Sequence, residues 1–282
     1  MSRRARIELA SSHTPPRDRL RLRLLQNAPR SGAVADNILC MHDMIGSLET
    51  VDLVVTPELS VQGYATAPAA DLVPIERQEL IAEFGFEHAV VGIGFAEARR
   101  AGRPYNSFAL IGPESTEVQH KLHPVATSPF DEHLVYEAGD ALRAMSVHGV
   151  PIATVICNDM WHPVVPWLAV RQHAEVMVVP VASSDDAMPG VKGVWEAILR
   201  HTAQVLQCYV VFVNRCGRDG SLGFWGGSRV IGPDGDVMIQ LGKTVAATDI
   251  DLDLLALRTL REQTPILAEV RTDFVLDDLV EV

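Results

Sequence analysis

Cysteine is scarce in this sequence, and the few cysteines lie far apart. Four occur among 282 residues, at Cys40, Cys157, Cys208 and Cys216, and none forms a Cys-x-x-Cys pair. Neither a disulfide framework nor a zinc knuckle is therefore indicated. Cys40, Cys208 and Cys216 stand in apolar or glycine-rich surroundings, and we predict them to be packing residues. A reducing compartment, the cytoplasm, fits this cysteine usage best.

Basic residues are outnumbered, and long apolar runs are missing. The chain has 24 Lys and Arg against 36 Asp and Glu, a net charge of -12. That charge repels phosphate backbones and anionic lipid surfaces. No apolar run approaches the roughly 18 residues that a membrane helix needs, and the first 19 residues lack the apolar centre of a secretory signal. We therefore expect a small-molecule ligand, with no nucleic acid and no membrane as partner.

No linker rich in Gly, Ser or Pro divides the chain, and no repeat of fixed period is present. These absences, together with 48 % apolar residues, predict one domain with a substantial core over residues 20–270. Residues 1–19 are rich in Arg and broken by two prolines, which favours a frayed extension over a transit peptide or a nucleic-acid arm. The acidic segment 271–282 is either a tail or a strand lent to a partner subunit.

Short apolar runs alternate with longer mixed segments from Leu20 onward, a pattern typical of α/β proteins whose strands are buried on both faces. Nine strands are predicted, over residues 20–26, 52–58, 89–96, 107–113, 151–157, 176–182, 209–215, 228–233 and 244–250. Four helices are predicted, over residues 33–49, 76–84, 164–174 and 191–207. Residues 105–121 and 226–240 each contain a Gly-Pro turn between two strand-like runs, which indicates two hairpins.

Three chemically reactive residues stand where apolar strands end. Glu58 ends the run DLVVTPE, Cys157 ends PIATVIC, and Lys121 closes the first hairpin. The carboxyl edge of a sheet is where α/β proteins place their reactive groups. Each residue also has an ordinary structural interpretation: a helix cap for Glu58, core packing for Cys157 and a solvated strand end for Lys121.

Histidines cluster near these segments without a metal-binding pattern. His120, His123, His133 and His162 include no helix-spaced pair such as His-Glu-x-x-His. The glycine-rich stretches match neither a dinucleotide fingerprint nor a Walker motif. We therefore predict no metal and no cofactor.

Taken together, TPELSVQGY, HKLHP and ICNDMW, in this order, resemble the three signature blocks of the nitrilase superfamily of carbon-nitrogen hydrolases. LRLLQNAP, YNSFALIGP, FDEHLVYEAGD and GGSRVIGPDGDV resemble further segments of that family, so the resemblance covers most of the chain. The stretches PELSVQGYATAPAADL and NRCGRDGSLGFWGGS are most similar to the glutamine amidase domain of glutamine-dependent NAD synthetases. The sequence departs from that domain at HKLHP, where an arginine-lysine pair is usual, and at Trp225. It also ends where a synthetase domain would begin.

The resemblance implies a four-layer α-β-β-α sandwich and a cysteine-dependent hydrolase of a small non-peptide C–N bond. Cys157 is then the nucleophile, Glu58 the base, and Lys121 with the backbone N–H of Asn158 the stabiliser of the oxyanion. Glu132 resembles a second glutamate that holds the lysine, with a surface charge as the alternative. A linear carboxamide, converted through a thioester to carboxylate and ammonia, is the predicted substrate. A nitrile, an N-carbamoyl compound, or a catalytically silent binding or regulatory subunit are the alternatives.

The resemblance also implies where the substrate binds. The implied contacts, with ordinary packing as the alternative, are Asn158, Trp161, Ser183, Ser184 and a loop carrying Phe224 and Trp225. The aromatic residues favour a flat or apolar acyl group, whereas the neighbouring Asp185 and Asp186 would recognise an amine. Because the family associates through its helical faces, a homodimer or larger homo-oligomer is expected.

Overall fold

The computed structural model describes residues 17–64 and 72–271. Residues 1–16 of the predicted extension and 272–282 of the predicted acidic tail lie outside the described residues. The first strand begins at Arg19, one residue before the predicted domain boundary. Among the described helices, none has the length and apolarity that crossing a bilayer requires.

The described strands form two six-stranded sheets and one hairpin. In chain order they are β1 (Arg19–Gln26), β2 (Leu53–Val55), β3 (Val90–Glu97), β4 (Tyr105–Ile111), β5 (Thr116–His120), β6 (Ala144–Val147), β7 (Val150–Thr154), β8 (Val176–Val181), β9 (Tyr209–Asn214), β10 (Cys216–Asp219), β11 (Leu222–Trp225), β12 (Arg229–Ile231), β13 (Val237–Gln240) and β14 (Ala246–Asp253). The first sheet has the order β14-β1-β2-β3-β4-β5 and the second β13-β12-β9-β8-β7-β6, while β10 and β11 form the hairpin.

The helices lie between these strands in sequence. They are α1 (Val34–Ile45), α2 (Arg77–Phe84), α3 (Glu132–Val135), α4 (Val164–Arg171), α5 (Val191–Val205) and α6 (Leu254–Gln263), with a 3-10 turn at Cys157–Trp161. The four predicted helices correspond to α1, α2, α4 and α5. Helices α3 and α6 were not predicted, nor were strands β6, β10 and β11.

The layers follow from which apolar residues pack together. Leucines of β1 and valines of β8 and β9 share the central core, so the two sheets pack face to face. Helices α1 and α2 cover the outer face of the first sheet. Helices α4 and α5 cover the outer face of the second sheet, with Trp195 and Leu199 buried against it. The chain is therefore an α-β-β-α sandwich, as predicted.

Each sheet combines a parallel centre with antiparallel edges. Strands β1, β2 and β3 run parallel, as do β7, β8 and β9. The two predicted hairpins are present as β4-β5 and β12-β13. Strands in the parallel centres are buried on both faces, which explains the unbroken apolar runs in the sequence.

Several strands are shorter than predicted, and two of them shape the site described below. The runs predicted over 52–58 and 151–157 leave the sheets after Val55 and Thr154. The N–H groups of Thr56 and Val155 still donate to the neighbouring strands, at 3.0 and 2.9 Å. Pro57 then has no N–H to continue the ladder. The polar ends of both runs therefore project beyond the sheets.

Candidate active site

Glu58 and Cys157 follow parallel strands in opposite sheets. Glu58 lies three residues beyond β2, and Cys157 lies three residues beyond β7 at the start of the 3-10 turn. Cys157 has a φ of +45°, in the left-handed region. A residue with a side chain held in such a conformation costs about 1–3 kcal/mol, and such residues concentrate at functional sites. The backbone thus holds Cys157 in a strained turn at the edge of the second sheet.

Lys121 lies between two glutamates, fully out of contact with water. Its ammonium nitrogen is 2.7 Å from Glu58 Oε1 and 2.7 Å from Glu132 Oε2, and all three side chains are 0 % exposed. Lys121 follows β5, and Glu132 opens α3. The surface-charge alternative for Glu132 and the solvated-end alternative for Lys121 are therefore wrong. The two carboxylates raise the pKa of Lys121 well above its usual value against the opposing effect of burial, so the ammonium stays charged.

Every oxygen of Glu58 is engaged. Asn106 donates to Oε1 at 2.8 Å, beside Lys121, and the backbone N–H of Ala182 donates to Oε2 at 2.9 Å. Burial raises the pKa of Glu58 above its usual value, although Lys121 opposes this effect. A carboxylate with a raised pKa is a better proton acceptor than an exposed one.

The Cys157 thiol is held in its neutral form. Burial and the neighbouring Glu58 raise its pKa well above the usual value, while Lys121 and the N–H of Ala182 act in the opposite direction. The same Ala182 N–H donates to Glu58, so one backbone group acts on both the acid and the thiol. A neutral thiol is a weak nucleophile, and its reaction requires a base beside it.

A small cavity of about 100 Å³ opens beside Cys157. Four of the residues predicted to bind substrate line it, namely Asn158, Trp161, Ser183 and Ser184. The other two predicted contacts are in the wrong element, because Phe224 and Trp225 lie on strand β11 rather than in a loop. Phe224 packs behind Tyr64, and Trp225 donates from its indole to Ser183 at 3.1 Å. Both aromatics therefore support the cavity wall from behind.

A sequence profile described as carbon-nitrogen hydrolase matches residues 21–259 of this chain. The chain belongs to the carbon-nitrogen hydrolase family. This membership confirms the predicted superfamily and makes the chain a hydrolase of carbon–nitrogen bonds.

Relatives and solved structures agree with this assignment. An (R)-stereoselective amidase from a Pseudomonas species is 29 % identical over 259 residues, which cover 89 % of this chain and 92 % of that protein. A carbon-nitrogen hydrolase from Helicobacter pylori G27 has a TM-score of 0.81 and 21 % identity, covering 91 % of this chain and 97 % of that one. The glutamine-dependent NAD+ synthetase of Acinetobacter baumannii has a TM-score of 0.76 and 23 % identity, covering 85 % of this chain and 46 % of that one. The solved structures confirm the predicted fold.

In this carbon-nitrogen hydrolase, Asp159 connects the turn that carries Cys157 to the segment that carries Lys121. Its carboxylate accepts from the backbone N–H groups of Leu122 at 3.0 Å and His123 at 2.7 Å, directly after Lys121. Asn158 donates its side-chain amide to the carbonyl of His123 at 2.9 Å. The HKLHP segment is thereby fixed to the turn that carries Cys157.

Within the described residues, no group of three or more His, Cys, Asp or Glu side chains is placed to hold a metal ion.

Sequence reasoning missed three groups of this site. Asn106 and the Ala182 N–H contact Glu58 directly, and the hydroxyl of Tyr64 donates to Glu132. Asn106 had a signal, since it is a polar residue at the start of an otherwise apolar strand. A backbone N–H donor such as that of Ala182 cannot be identified from the residue type.

Cys40, predicted to pack, is exposed on α1 instead, while Cys208 and Cys216 are buried as predicted.

Gly94 on β3 leaves space for the segment that carries Glu58. A Cβ atom built at Gly94 would lie 2.3 Å from the carbonyl oxygen of Pro57 and 2.6 Å from the backbone nitrogen of Leu59. We expect Gly94→Ala to lower stability by about 1–3 kcal/mol and to reduce turnover at least about tenfold, because backbone atoms on both sides of Glu58 must move. Urea unfolding and amide hydrolysis assays measure the two effects.

The matched control is Gly193→Ala on α5. A Cβ atom there has no neighbour within 4 Å, and alanine favours a helix by about 1 kcal/mol over glycine. Unchanged activity with equal or higher stability is expected. Equal behaviour of the two variants would show that the close contact at Gly94 does not position Glu58.

Proposed function

We propose that this protein hydrolyses small linear carboxamides to carboxylate and ammonia, with Cys157 as nucleophile and a thioester as intermediate. The observation that carries the proposal is the buried Lys121 ammonium, held between Glu58 and Glu132 beside the cavity that contains Cys157. The amidase name of the Pseudomonas relative favours an amide over a nitrile or an N-carbamoyl compound.

The first half of the reaction forms the thioester. Glu58 takes the thiol proton of Cys157 as the sulfur bonds to the amide carbonyl carbon, and the carbonyl oxygen becomes an oxyanion. The Lys121 ammonium and the backbone N–H of Asn158 stabilise that oxyanion, and a donor of this type contributes about 2.7–4 kcal/mol to the transition state. Collapse of the tetrahedral species breaks the C–N bond. Glu58 returns the proton to the nitrogen, which leaves as ammonia.

The second half releases the acid. Glu58 removes a proton from water as the water oxygen attacks the thioester carbonyl carbon, and the C–S bond then breaks. The proton returns to the Cys157 sulfur and regenerates the thiol. Glu132 acts on Lys121 throughout, because its two oxygens accept from Lys121, Tyr64 and the N–H of Val125 and so fix the ammonium in place.

Two measurements test the proposed function directly. Ammonia release is assayed over amides, nitriles and N-carbamoyl compounds, and intact-mass spectrometry searches for the acyl adduct on Cys157 in wild-type protein quenched with acid during turnover. We expect ammonia from amides and an adduct at Cys157. Retained amide binding without ammonia from any compound would favour the silent regulatory subunit.

The pH dependence of kcat/KM reports the protonation of Glu58. Because burial raises the pKa of Glu58, kcat/KM is expected to fall as the pH decreases through a value above the usual glutamate pKa of about 4.3. Asn106 favours the charged form through its hydrogen bond. Asn106→Ala should therefore shift this acidic limb to higher pH. A limb that stays in place in this variant would remove Glu58 as the base.

We also propose self-association through the outer helical face of the second sheet. Helices α4 and α5 border an apolar groove of about 740 Å³, and Val164 and Val205 are exposed in its lining. A second copy of this chain is the proposed occupant, in line with the family's association through helical faces. Sedimentation equilibrium measures the oligomeric state.

The four unpaired cysteines support a reducing compartment, and we propose the cytoplasm.

A further inference from the structure

The cavity beside Cys157 is uncharged along its described wall. Its large apolar residues are Val125, Phe130, Trp161, Met188, Val191 and Trp195. The remaining described lining residues are neutral, and none is Asp, Glu, Lys, Arg or His. A charged acyl group entering this cavity would lose water without gaining an ionic partner from its wall.

The charged groups around the cavity are already engaged with one another. Lys121 is enclosed by Glu58 and Glu132, whose oxygens all accept hydrogen bonds. Arg215 is fully buried behind Phe224 and donates to Asp219 at 3.0 Å. Neither Lys121 nor Arg215 is part of the described wall of the cavity, so neither pairs there with a carboxylate on the acyl group.

The two aspartates that sequence reasoning offered as an amine site are paired as well. Asp185 accepts from Lys192 at 2.8 Å, and Asp186 accepts from Arg218 at 3.2 Å. Neither lies in the described wall of the cavity. Of the two acyl classes left open by the sequence, the structure favours the apolar one.

The Ser183 hydroxyl provides one hydrogen-bond donor in the wall of the cavity. Its Oγ accepts from the indole N–H of Trp195 and from that of Trp225, each at 3.1 Å. A serine hydroxyl has two acceptor lone pairs and one proton. With both lone pairs engaged, the Ser183 hydroxyl can only donate, and it lines the cavity.

We propose that this site selects amides whose acyl group is uncharged and mainly apolar, and that Ser183 donates a hydrogen bond to an acceptor atom on that group. The inference rests on the proposed amide hydrolysis and names its substrate class. Carboxylate-bearing acyl groups are rejected because the described wall of the cavity holds no cation that could pair with them.

Two sets of amides of matched shape test the charge selection. The first comprises 4-methylpentanamide, 4-oxopentanamide and succinamate, and the second comprises 5-methylhexanamide, 5-oxohexanamide and glutaramate. We expect kcat/KM for each carboxylate to be at least about 100-fold below that of the neutral members of its set. A carboxylate turned over as well as its neutral partners overturns the proposal while leaving amide hydrolysis intact.

Binding measurements test the selectivity of the cavity independently of amide hydrolysis. Calorimetry with Cys157→Ala measures affinity for the same amides without turnover. Neutral amides that bind while carboxylates do not, in a wild-type protein that releases no ammonia, would refute the hydrolysis and support the selectivity. Equal binding of all members would refute the selectivity.

Ser183→Ala tests the directed contact. The ratio of kcat/KM for the ketone over the methyl-branched amide should fall about tenfold in this variant. Ser183→Thr keeps the hydroxyl and should keep the ratio, and thermal unfolding checks that both variants are folded. Because a purely structural role would change both substrates equally, an unchanged ratio in Ser183→Ala refutes the assigned donor.

Discussion

Cys157→Ala is expected to lower kcat for amide hydrolysis by at least about 10⁴-fold while leaving the protein folded. Removing the sulfur removes the atom that forms the thioester, and the oxyanion donors and Glu58 alone leave only a small residual rate. The side chain borders the cavity, and alanine keeps its Cβ atom, so little packing is lost. Ammonia release, intact mass after substrate addition and urea unfolding measure the three consequences.

Two matched variants test whether the loss of activity comes from the Cys157 sulfur itself. Cys40→Ala removes an exposed thiol on α1 and should leave turnover unchanged. Cys157→Gly removes the sulfur and also relieves the left-handed φ of +45° at this position, so it should be inactive without being less stable than Cys157→Ala. Substantial ammonia release from either variant at position 157 would show that the thioester route is wrong.

The sequence allowed much of the sandwich to be predicted because its central strands are buried on both faces. Continuous apolar runs mark such strands clearly, and the Gly-Pro turns mark both hairpins. Strands β10 and β11 were missed because Gly and charged residues interrupt the apolar pattern there. Helix α6 was missed although Asp253 caps it by accepting from the N–H of Ala256.

The reactive residues could be predicted, but their contacts could not. Glu58, Lys121 and Cys157 each stand at a strand end, and this position is visible in the sequence. Which atoms meet depends on how two sheets pack, and the N–H of Ala182 that donates to Glu58 comes from the residue directly after β8. Burial of Glu132 likewise depends on tertiary packing, since its short helix shows no apolar periodicity. The assigned roles remain predictions that the variants proposed here test.

Lys121→Met is expected to abolish turnover and to destabilise the protein by about 3–5 kcal/mol at neutral pH. Methionine fills similar space without charge, so Glu58 and Glu132 are left as buried carboxyl groups without their cation. Breaking a buried ion pair on one side costs this much because the remaining charge is uncompensated. The oxyanion also loses a donor, which alone lowers the rate about 10²–10³-fold.

The destabilisation of this variant should depend on pH in a defined direction. Lys121 lowers the pKa of Glu58, which burial has already raised, so removing the ammonium raises that pKa further. A carboxyl group whose folded pKa exceeds its unfolded pKa favours the folded state at low pH, and this contribution is lost as the pH rises through the folded pKa. The stability deficit against wild type should therefore be largest near pH 8 and smaller near pH 5. Urea unfolding at both values measures it.

Two further variants distinguish a buried charge defect from a general packing defect. Lys192→Met removes a half-exposed lysine that pairs with Asp185 at the surface, and it should have little effect on stability at either pH. Adding Glu132→Gln to Lys121→Met removes one uncompensated carboxylate, so it should restore part of the stability at pH 8 without restoring turnover. A deficit that is equal at both pH values and unrelieved by Glu132→Gln would mean that Lys121 acts through its shape. In that case, the charge balance among Lys121, Glu58 and Glu132 could not be the basis of catalysis.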